Sequence, residues 1–201
     1  MIPGNRLADR SNCPLGDRRH VFNLSAVYQT PKISGGAWAL LARDWQISGI
    51  LRFETGPYFG ITTGVDQALS GQTAYERPNQ VLGDPYTPGK PWNAYLNPAA
   101  FAQPAPGTYG DMRANNLLAP GFVQIDMGVV RAFVIRESKQ VQFRAEAFNL
   151  PNHVNPDACL AGSSILAPCP PMSTAINTPS FGRILSARDP RILQMALKFQ
   201  F

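Results

Sequence analysis

The residue types that most often carry chemistry are few and scattered in this chain. It has two histidines, His20 and His153, and three cysteines, Cys13, Cys159 and Cys169. No second Cys or His stands at zinc-finger spacing from a cysteine, and a metal shared by the histidines would need further ligands. The sequence also contains no nucleophile–base pair and no phosphate-binding loop. It therefore predicts neither an enzyme nor a cofactor or metal site.

Two of the cysteines share a proline-rich stretch, CLAGSSILAPC. The spacing of Cys159 and Cys169 permits a disulfide-closed loop in an oxidising compartment. Two unpaired thiols are the alternative, and Cys13 has no evident partner.

Aromatic residues form a second set of candidates, in a stretch between residues 57 and 120 that is rich in Gly, Pro and Asn. Five of them could stack on a sugar or peptide substrate: Tyr75, Tyr86, Trp92, Tyr95 and Phe101. A connection longer than about 15 residues is usually functional or disordered. The same side chains could equally pack the loop onto itself.

Proline marks the elements that must position these residues. The 19 prolines avoid residues 32–56, 121–150 and 191–201. Because proline cannot donate to a strand ladder, those windows are where strands can form. Within and next to them apolar and polar residues alternate, which is typical of half-buried strands. The predicted strands cover residues 19–30, 44–55, 121–134, 139–149 and 191–201.

Strand length and loop length point to one architecture. Each predicted strand has about ten residues, which suits a tilted strand crossing a bilayer. The connections alternate between short and long, as in outer-membrane barrels with tight periplasmic turns and extended external loops. The sequence thus predicts an all-β fold, an antiparallel up-and-down meander that is the C-terminal part of a transmembrane β-barrel. Residues 56–120 and 150–190 would be long external loops, and residues 1–16 a poorly ordered lead-in.

In a barrel the polar side of each strand faces the lumen. The predicted lumen-facing residues are Gln124, Asp126, Arg144, Glu146 and Lys198. The charged members, Asp126, Arg144 and Glu146, could face a transport path. A hydrogen-bond network that stiffens the wall is the favoured alternative.

Aromatic residues on the apolar side would form two girdles at the membrane surfaces. Tyr28, Trp45, Phe133 and Phe201 would share the periplasmic rim, with Phe22 and Phe53 near the outer rim. Arg131 interrupts the apolar side, and its stem is expected to extend to the headgroups. Odd-numbered residues are apolar in both the third and the fourth strand, so an odd turn is required between them. Residues 136–138 are the predicted turn.

Composition excludes several other classes. The net charge is +5, but the 18 basic residues are scattered and form no nucleic-acid patch. Hydrophobic residues make up 44% of the chain, yet none of its apolar runs is long enough for a transmembrane helix. The first ten residues have no apolar core, so no signal peptide is expected.

Several short sequence segments, taken in their order along the chain, resemble the C-terminal end of TonB-dependent outer-membrane receptors, in particular the Oar-like barrel family. They are Asp17–His20, Trp45–Ile50, Thr55–Phe59, Arg77–Asn79, Asn97–Phe101, Phe143–Asn149 and Asp189–Arg191 with the end of the chain. The last strand also resembles the signal read by the barrel-assembly machinery, carried here by Gln194, Ala196, Phe199 and Phe201. Ala196 departs from the glycine that is frequent at its position.

The resemblance implies active uptake across a Gram-negative outer membrane, driven through TonB. The resemblance implies a barrel of about 22 strands with an N-terminal plug. This chain predicts only five strands, so we expect a truncated chain that is inactive alone. Its expected partners are outer-membrane lipid, the barrel-assembly machinery, and the missing barrel and plug, with TonB reached only through the missing N-terminal part.

A second hypothesis belongs to a different class. The same strands could form a surface-attached β-sandwich that binds glycans or mediates adhesion through the aromatic loops. In that case the apolar faces would meet across a core about 10 Å thick. In a barrel they would share one side of a single sheet.

Overall fold

The structure is a computed structural model that describes residues 7, 9–13, 17–31, 35–36, 42–72, 76–136, 139–156 and 172–201. The chain divides into two compact units, each built from three separate segments. We call His20–Glu54, Phe122–Asn155 and Asp189–Phe201 the sheet unit. The loop unit consists of Met1–Arg19, Thr55–Gly121 and Pro156–Arg188.

The described residues form nine strands and two short 3-10 helices, at Trp92–Ala94 and Pro98–Ala100. In chain order the strands are β1 Val21–Gln29, β2 Gln46–Glu54, β3 Tyr58–Phe59, β4 Asn79–Gln80, β5 Phe101–Ala102, β6 Leu117–Leu118, β7 Phe122–Arg136, β8 Lys139–Phe148 and β9 Ile192–Gln200. The five long strands form one antiparallel sheet in the order β1-β2-β7-β8-β9. The predicted all-β antiparallel meander is therefore confirmed. No described helix has the length and apolarity needed to cross a membrane.

One side of this sheet is apolar from edge to edge. Opposite residues in a sheet point to the same side. Leu24 lies opposite Leu51, which lies opposite Ile125 on β7. Further along β7, Val129 lies opposite Ala145, which lies opposite Met195. The apolar residues of all five strands thus share one side, which we call the apolar face, and the opposite side is the polar face.

The hairpin between β7 and β8 differs from the predicted turn. Arg136 pairs with Lys139 and so belongs to the strand, and residues 137–138 of the predicted turn lie outside the described residues. The prediction of a three-residue turn at residues 136–138 is therefore wrong. The pairing shifts between Val134 and Arg136, which makes Ile135 an extra residue, a β-bulge. The bulge supplies the odd residue, so Phe143 and Ile125 still share the apolar face.

The loop unit is a folded body with its own hydrophobic core. The two predicted long loops both contribute to it: Ile61, Tyr95, Leu96, Ala100, Phe101, Met112, Leu117, Met172 and Phe181. The ring of Phe101 meets that of Phe181 edge-on at 5.5 Å between centroids. The loops also exchange backbone hydrogen bonds, because Leu96 N donates to Gly182 O at 3.1 Å and Ile176 N donates to Thr62 O at 3.0 Å. Both long loops are therefore needed to form this hydrophobic core.

A close approach in this core requires glycine. Gly182 has φ +70°, and a Cβ built on it would lie 2.7 Å from Cβ of Leu96. Only glycine combines that backbone conformation with that distance.

Part of the predicted lead-in bonds to other segments of the loop unit. Asp9 accepts a hydrogen bond from Arg77 at 2.6 Å. Asn12 donates its side-chain amide to Asn115 O at 3.0 Å.

Candidate functional site

The polar face carries all five residues that the sequence predicted to face a lumen. Four of these residues bond in two pairs, each between residues two apart on one strand. Gln124 donates to both oxygens of Asp126 at 3.0 and 2.8 Å on β7. Arg144 and Glu146 form an ion pair at 2.5 Å on β8. Lys198 lies opposite Gln142 at the polar face of β8 and β9.

Asp126 has a structural task at the end of β8. Its Oδ1 accepts the backbone N–H of Asn149 at 2.8 Å, where β8 ends. Asn149 has φ +51° and is only 5% exposed, so its N–H needs this acceptor. Its own side chain donates to His153 O at 2.9 Å and accepts from His153 N at 3.0 Å. Asp126 thus accepts hydrogen bonds from both Gln124 and Asn149.

A side chain continues the sheet beyond the end of β8. Asn155 donates to Val123 O at 2.7 Å and accepts from Val123 N at 2.9 Å. Both backbone groups of Val123 are thus satisfied as a partner strand would satisfy them. The sequence segment NLPNHVN gave no alternation that would have revealed this role for Asn155.

On the apolar face, Arg131 lies within an aromatic cluster. The guanidinium of Arg131 lies 4.6 Å from the Phe133 ring centroid and 5.5 Å from that of Trp45. Trp45 in turn meets Phe143 edge-on at 6.1 Å. Arg131 is only 6% exposed, so the expectation that it extends to headgroups is wrong. Aromatic faces attract the cation instead.

In the loop unit, two tyrosines bind the backbone N–H and C=O of one residue. The hydroxyl of Tyr86 accepts from Leu118 N at 2.7 Å, and that of Tyr95 donates to Leu118 O at 2.9 Å. The rings meet edge-on at 5.5 Å, and Nζ of Lys90 lies 4.0 Å from the Tyr86 ring centroid. Burial raises the pKa of both phenols, so they stay neutral donors over the ordinary pH range.

The loop aromatics fall into distinct environments. Tyr95 and Phe101 are buried at 5% and 8% exposure and belong to the core, and Tyr86 packs against it. These three therefore follow the self-packing alternative. Trp92 is 40% exposed and open to contact a solute. Tyr75, Cys159 and Cys169 lie outside the described residues, and Cys13 is an exposed free thiol.

Two carboxylates of the loop unit, Asp66 and Glu76, accept hydrogen bonds from backbone N–H groups of residues 67–71. Burial acts to raise the pKa of Asp66, but hydrogen bonds from the Ser70 and Gly71 amides at 2.8 Å outweigh it and lower that pKa. Glu76 is only 6% exposed and accepts from Gln67 N at 2.6 Å and Ala68 N at 3.0 Å. Both carboxylates are occupied by their own loop.

The residues of the predicted assembly signal lie on both faces of the last strand and at the end of the chain. Gln194 and Ala196 lie on the polar face opposite Glu146 and Arg144. Phe199 lies on the apolar face opposite Val141, and its ring is 5.9 Å from that of Phe201. Phe201 is 91% exposed.

The apolar face of the sheet is not covered by protein at its edge strands. Leu24 is 50% exposed, Met195 77% and Leu197 74%. Of the sheet unit's residues only Phe122 counts among the buried apolar side chains in the described part of the chain. A soluble single-layer sheet would not leave this surface in water.

A family model described as "outer membrane beta barrel domain" matches residues 1–194. The chain belongs to this family. No curated protein and no solved structure is significantly similar to it. The family places the chain in the outer membrane.

The arrangement of the sheet also distinguishes between the barrel and the sandwich hypotheses. A sandwich needs the apolar faces of two sheets to meet across a core. The five long strands instead place their apolar residues on one side of one sheet. The sandwich hypothesis is therefore not supported.

Proposed function

We propose that this chain is the C-terminal wall of a TonB-dependent outer-membrane receptor of the Oar-like type. The observation that carries the proposal is the combination of an open transmembrane sheet with a loop unit that has its own core. Long external loops are common to outer-membrane barrels, but a receptor also needs a fixed surface that selects its substrate, and a loop unit with its own core can supply one. The resemblance of the ordered sequence phrases supplies the link to TonB.

Within this proposal the loop unit is the part that meets substrate. Its core fixes the positions of both long loops, so exposed residues such as Trp92 are held on a rigid support. A partly exposed indole suits stacking on a sugar ring or on an apolar side chain of a peptide. The substrate class is accordingly a solute too large or too scarce for passive diffusion.

The wall by itself transports nothing. Its two edge strands expose backbone groups that would each cost several kcal/mol in hydrocarbon. The chain therefore acts only in combination with further barrel strands, a plug and a segment that contacts TonB.

Genetics tests the proposal directly. Strains that lack this gene, TonB or both are compared for growth on a panel of scarce complex nutrients. We expect the gene deletion and the TonB deletion to lose the same nutrient, with no further loss in the double deletion. A nutrient lost with this gene but taken up normally without TonB would refute the TonB link. Expression of residues 1–201 alone should not restore growth, and restoration would refute the view that the chain is only a wall.

Assembly is tested separately. Deleting Phe201 should lower the amount of folded protein in the outer membrane, because the machinery reads the terminal aromatic. Replacing Gln200, one residue earlier on the polar face, with Asn is the matched control. Equal folded amounts in the two variants would refute the role of Phe201.

A further inference from the structure

In the loop unit, residues 86–96 fold back on themselves as a hairpin. Tyr86 and Leu96 pair as an antiparallel bridge at its base, and Leu96 is buried in the core at 0% exposure. The tip of the hairpin, residues 88–93, is exposed to solvent. A base fixed by core packing under an exposed tip is the arrangement that a binding loop needs.

One cation at this tip is held in position. Nζ of Lys90 lies 4.0 Å from the Tyr86 ring centroid and 6.0 Å from that of Tyr95. Lys90 has φ +46°, a conformation that costs energy in a residue with a side chain, and its N–H donates to Thr87 O at 2.9 Å. The rings attract the ammonium but carry no net charge, so its positive charge stays available to an anion.

A second cation lies on a neighbouring segment that comes from the other long loop. Ile184 N donates to Trp92 O at 2.8 Å, which places residues 183–185 beside the hairpin tip. Arg183 and Leu185 flank Ile184 and are both exposed, Leu185 at 61%. The two long loops therefore each contribute a cation and an apolar side chain to one surface.

The charge of this surface is positive. In the part of the chain that the structure describes, neither Lys90 nor Arg183 forms an ion pair. Asp84 precedes the hairpin, but its carboxylate accepts the N–H of Tyr86 at 3.0 Å and so bonds to its own turn. Trp92 thus shares its surface with two positive charges that are open to an anionic ligand. We call this set of side chains the cationic surface: Lys90, Trp92, Arg183 and Leu185.

We infer that the cationic surface binds an acidic saccharide, with a sugar ring stacked on Trp92 and the anionic groups of the saccharide beside Lys90 and Arg183. The inference rests on the proposed function, because it names the substrate class of the loop unit. A flat indole suits the apolar face of a sugar ring. A guanidinium binds a planar carboxylate through two parallel hydrogen bonds, and an ammonium acts on it as a point charge.

A peptide ligand fits this surface less well. An extended peptide gains affinity from backbone hydrogen bonds to an open strand edge. Here the hairpin and its neighbouring segment use backbone groups to bond to each other, because Ile184 N donates to Trp92 O and Leu96 N donates to Gly182 O at 3.1 Å. The cationic surface instead offers side chains, a flat ring and two cations.

The experiment measures ligand binding to the complete barrel in detergent by isothermal titration calorimetry. The probes are oligogalacturonate and oligomannuronate, their methyl esters, which keep the sugar rings but lose the charges, and oligoglutamate. We expect a free uronate oligomer to bind at least about tenfold more tightly than its ester, with an affinity that falls as NaCl is added. Binding of neither uronate oligomer, or equal binding of the ester or of oligoglutamate, would overturn the inference.

Variants that stay folded, as shown by migration in unheated detergent gels, locate the site. Lys90→Gln, Arg183→Gln and Trp92→Ala should each weaken uronate binding by about tenfold. Lys90→Arg keeps the charge and should weaken it less. Arg113→Gln is the matched control, because it removes an exposed cation of the loop unit that lies outside the cationic surface. Unchanged binding in the first three variants, or an equal loss in Arg113→Gln, would overturn the inference.

The two proposals fail independently. Uptake of an acidic saccharide that continues without TonB would refute the proposed function and leave this inference intact. A TonB-dependent receptor whose substrate affinity is unchanged in Lys90→Gln, Arg183→Gln and Trp92→Ala would do the reverse.

Discussion

Two neighbouring aliphatic residues on β2 give a sharp test of which side of the sheet meets lipid. Ile50 is the central residue of Gln46–Glu54 and lies on the polar face, opposite Ser25 on β1 and Asp126 on β7. Leu51 is next to it on the apolar face, opposite Leu24 and Ile125. The perturbation is the same in both places, a change to Arg.

The expected magnitudes differ because the new charge meets different surroundings. At about 3.4 Å per residue, Leu51 lies within one residue of the strand's middle, so the charge of Leu51→Arg is near the bilayer midplane. Arg there costs about 2–4 kcal/mol, a factor of about 30 to 700 in the folded-to-unfolded ratio. In Ile50→Arg the cation faces water and the carboxylate of Asp126, so its cost is about 0–1 kcal/mol.

The assay uses the complete barrel, purified and folded into lipid vesicles. Urea titration gives the free energy of unfolding, and migration in unheated detergent gels gives the folded fraction. The pair is matched, since each variant replaces one aliphatic side chain on the same strand with Arg. Equal losses in the two variants, or a larger loss in Ile50→Arg, would refute the assignment of the apolar face to lipid.

Four further outcomes follow from the contacts. Asn155→Ala should lower the free energy of unfolding by about 1–3 kcal/mol because the backbone of Val123 loses both hydrogen-bond partners. Asn155→Asp keeps the acceptor and should cost less. A smaller loss in Asn155→Ala than in Asn155→Asp would contradict the role of Asn155 as a partner of Val123. Tyr86→Phe should leave Leu118 N–H without its acceptor and cost about 1–3 kcal/mol, seen as faster proteolysis of the loop unit, while unchanged proteolysis would count against it. The pKa of Tyr86 is raised, so the folded protein keeps a phenol proton that the unfolded chain loses above pH 10.0, the ordinary pKa of tyrosine. The free energy of unfolding should therefore fall as pH rises above that value, and it should fall less in Tyr86→Phe. An equal fall in both proteins would refute the burial effect. Gly110→Ala should disrupt the loop unit, since its Cβ would lie 2.0 Å from Arg77 O, whereas Gly83→Ala meets nothing within 4 Å and should be neutral.

Much of the sheet unit could be predicted because a membrane imposes simple rules. Proline-free windows and period-two alternation predicted five long strands, and the observed strands end within about two residues of those positions. The bulge at Ile135 could not be predicted, because its effect on register is the same as that of an odd turn.

The loop unit shows where sequence patterns stop being informative. Its strands have two residues each, too few to show any period. Leu96 meets Gly182 across a long stretch of chain, and only tertiary structure creates that contact. The alternation did place Asp126 on the polar face, but its bond to Asn149 N depends on where β8 ends. Arg131 was expected to extend to the headgroups because the alternation, which placed Trp45 and Phe133 at the same rim, does not show how close its guanidinium lies to their rings.

Spin labels placed singly at residues 47–53 of β2 test the central claim most directly, in the complete barrel in lipid. Collisions with oxygen, which concentrates in hydrocarbon, are compared with collisions with a water-soluble nickel complex. The account predicts strict alternation, with residues 47, 49, 51 and 53 accessible to oxygen and residues 48, 50 and 52 accessible to nickel. Nickel access at every position, or alternation with the opposite phase, would contradict it.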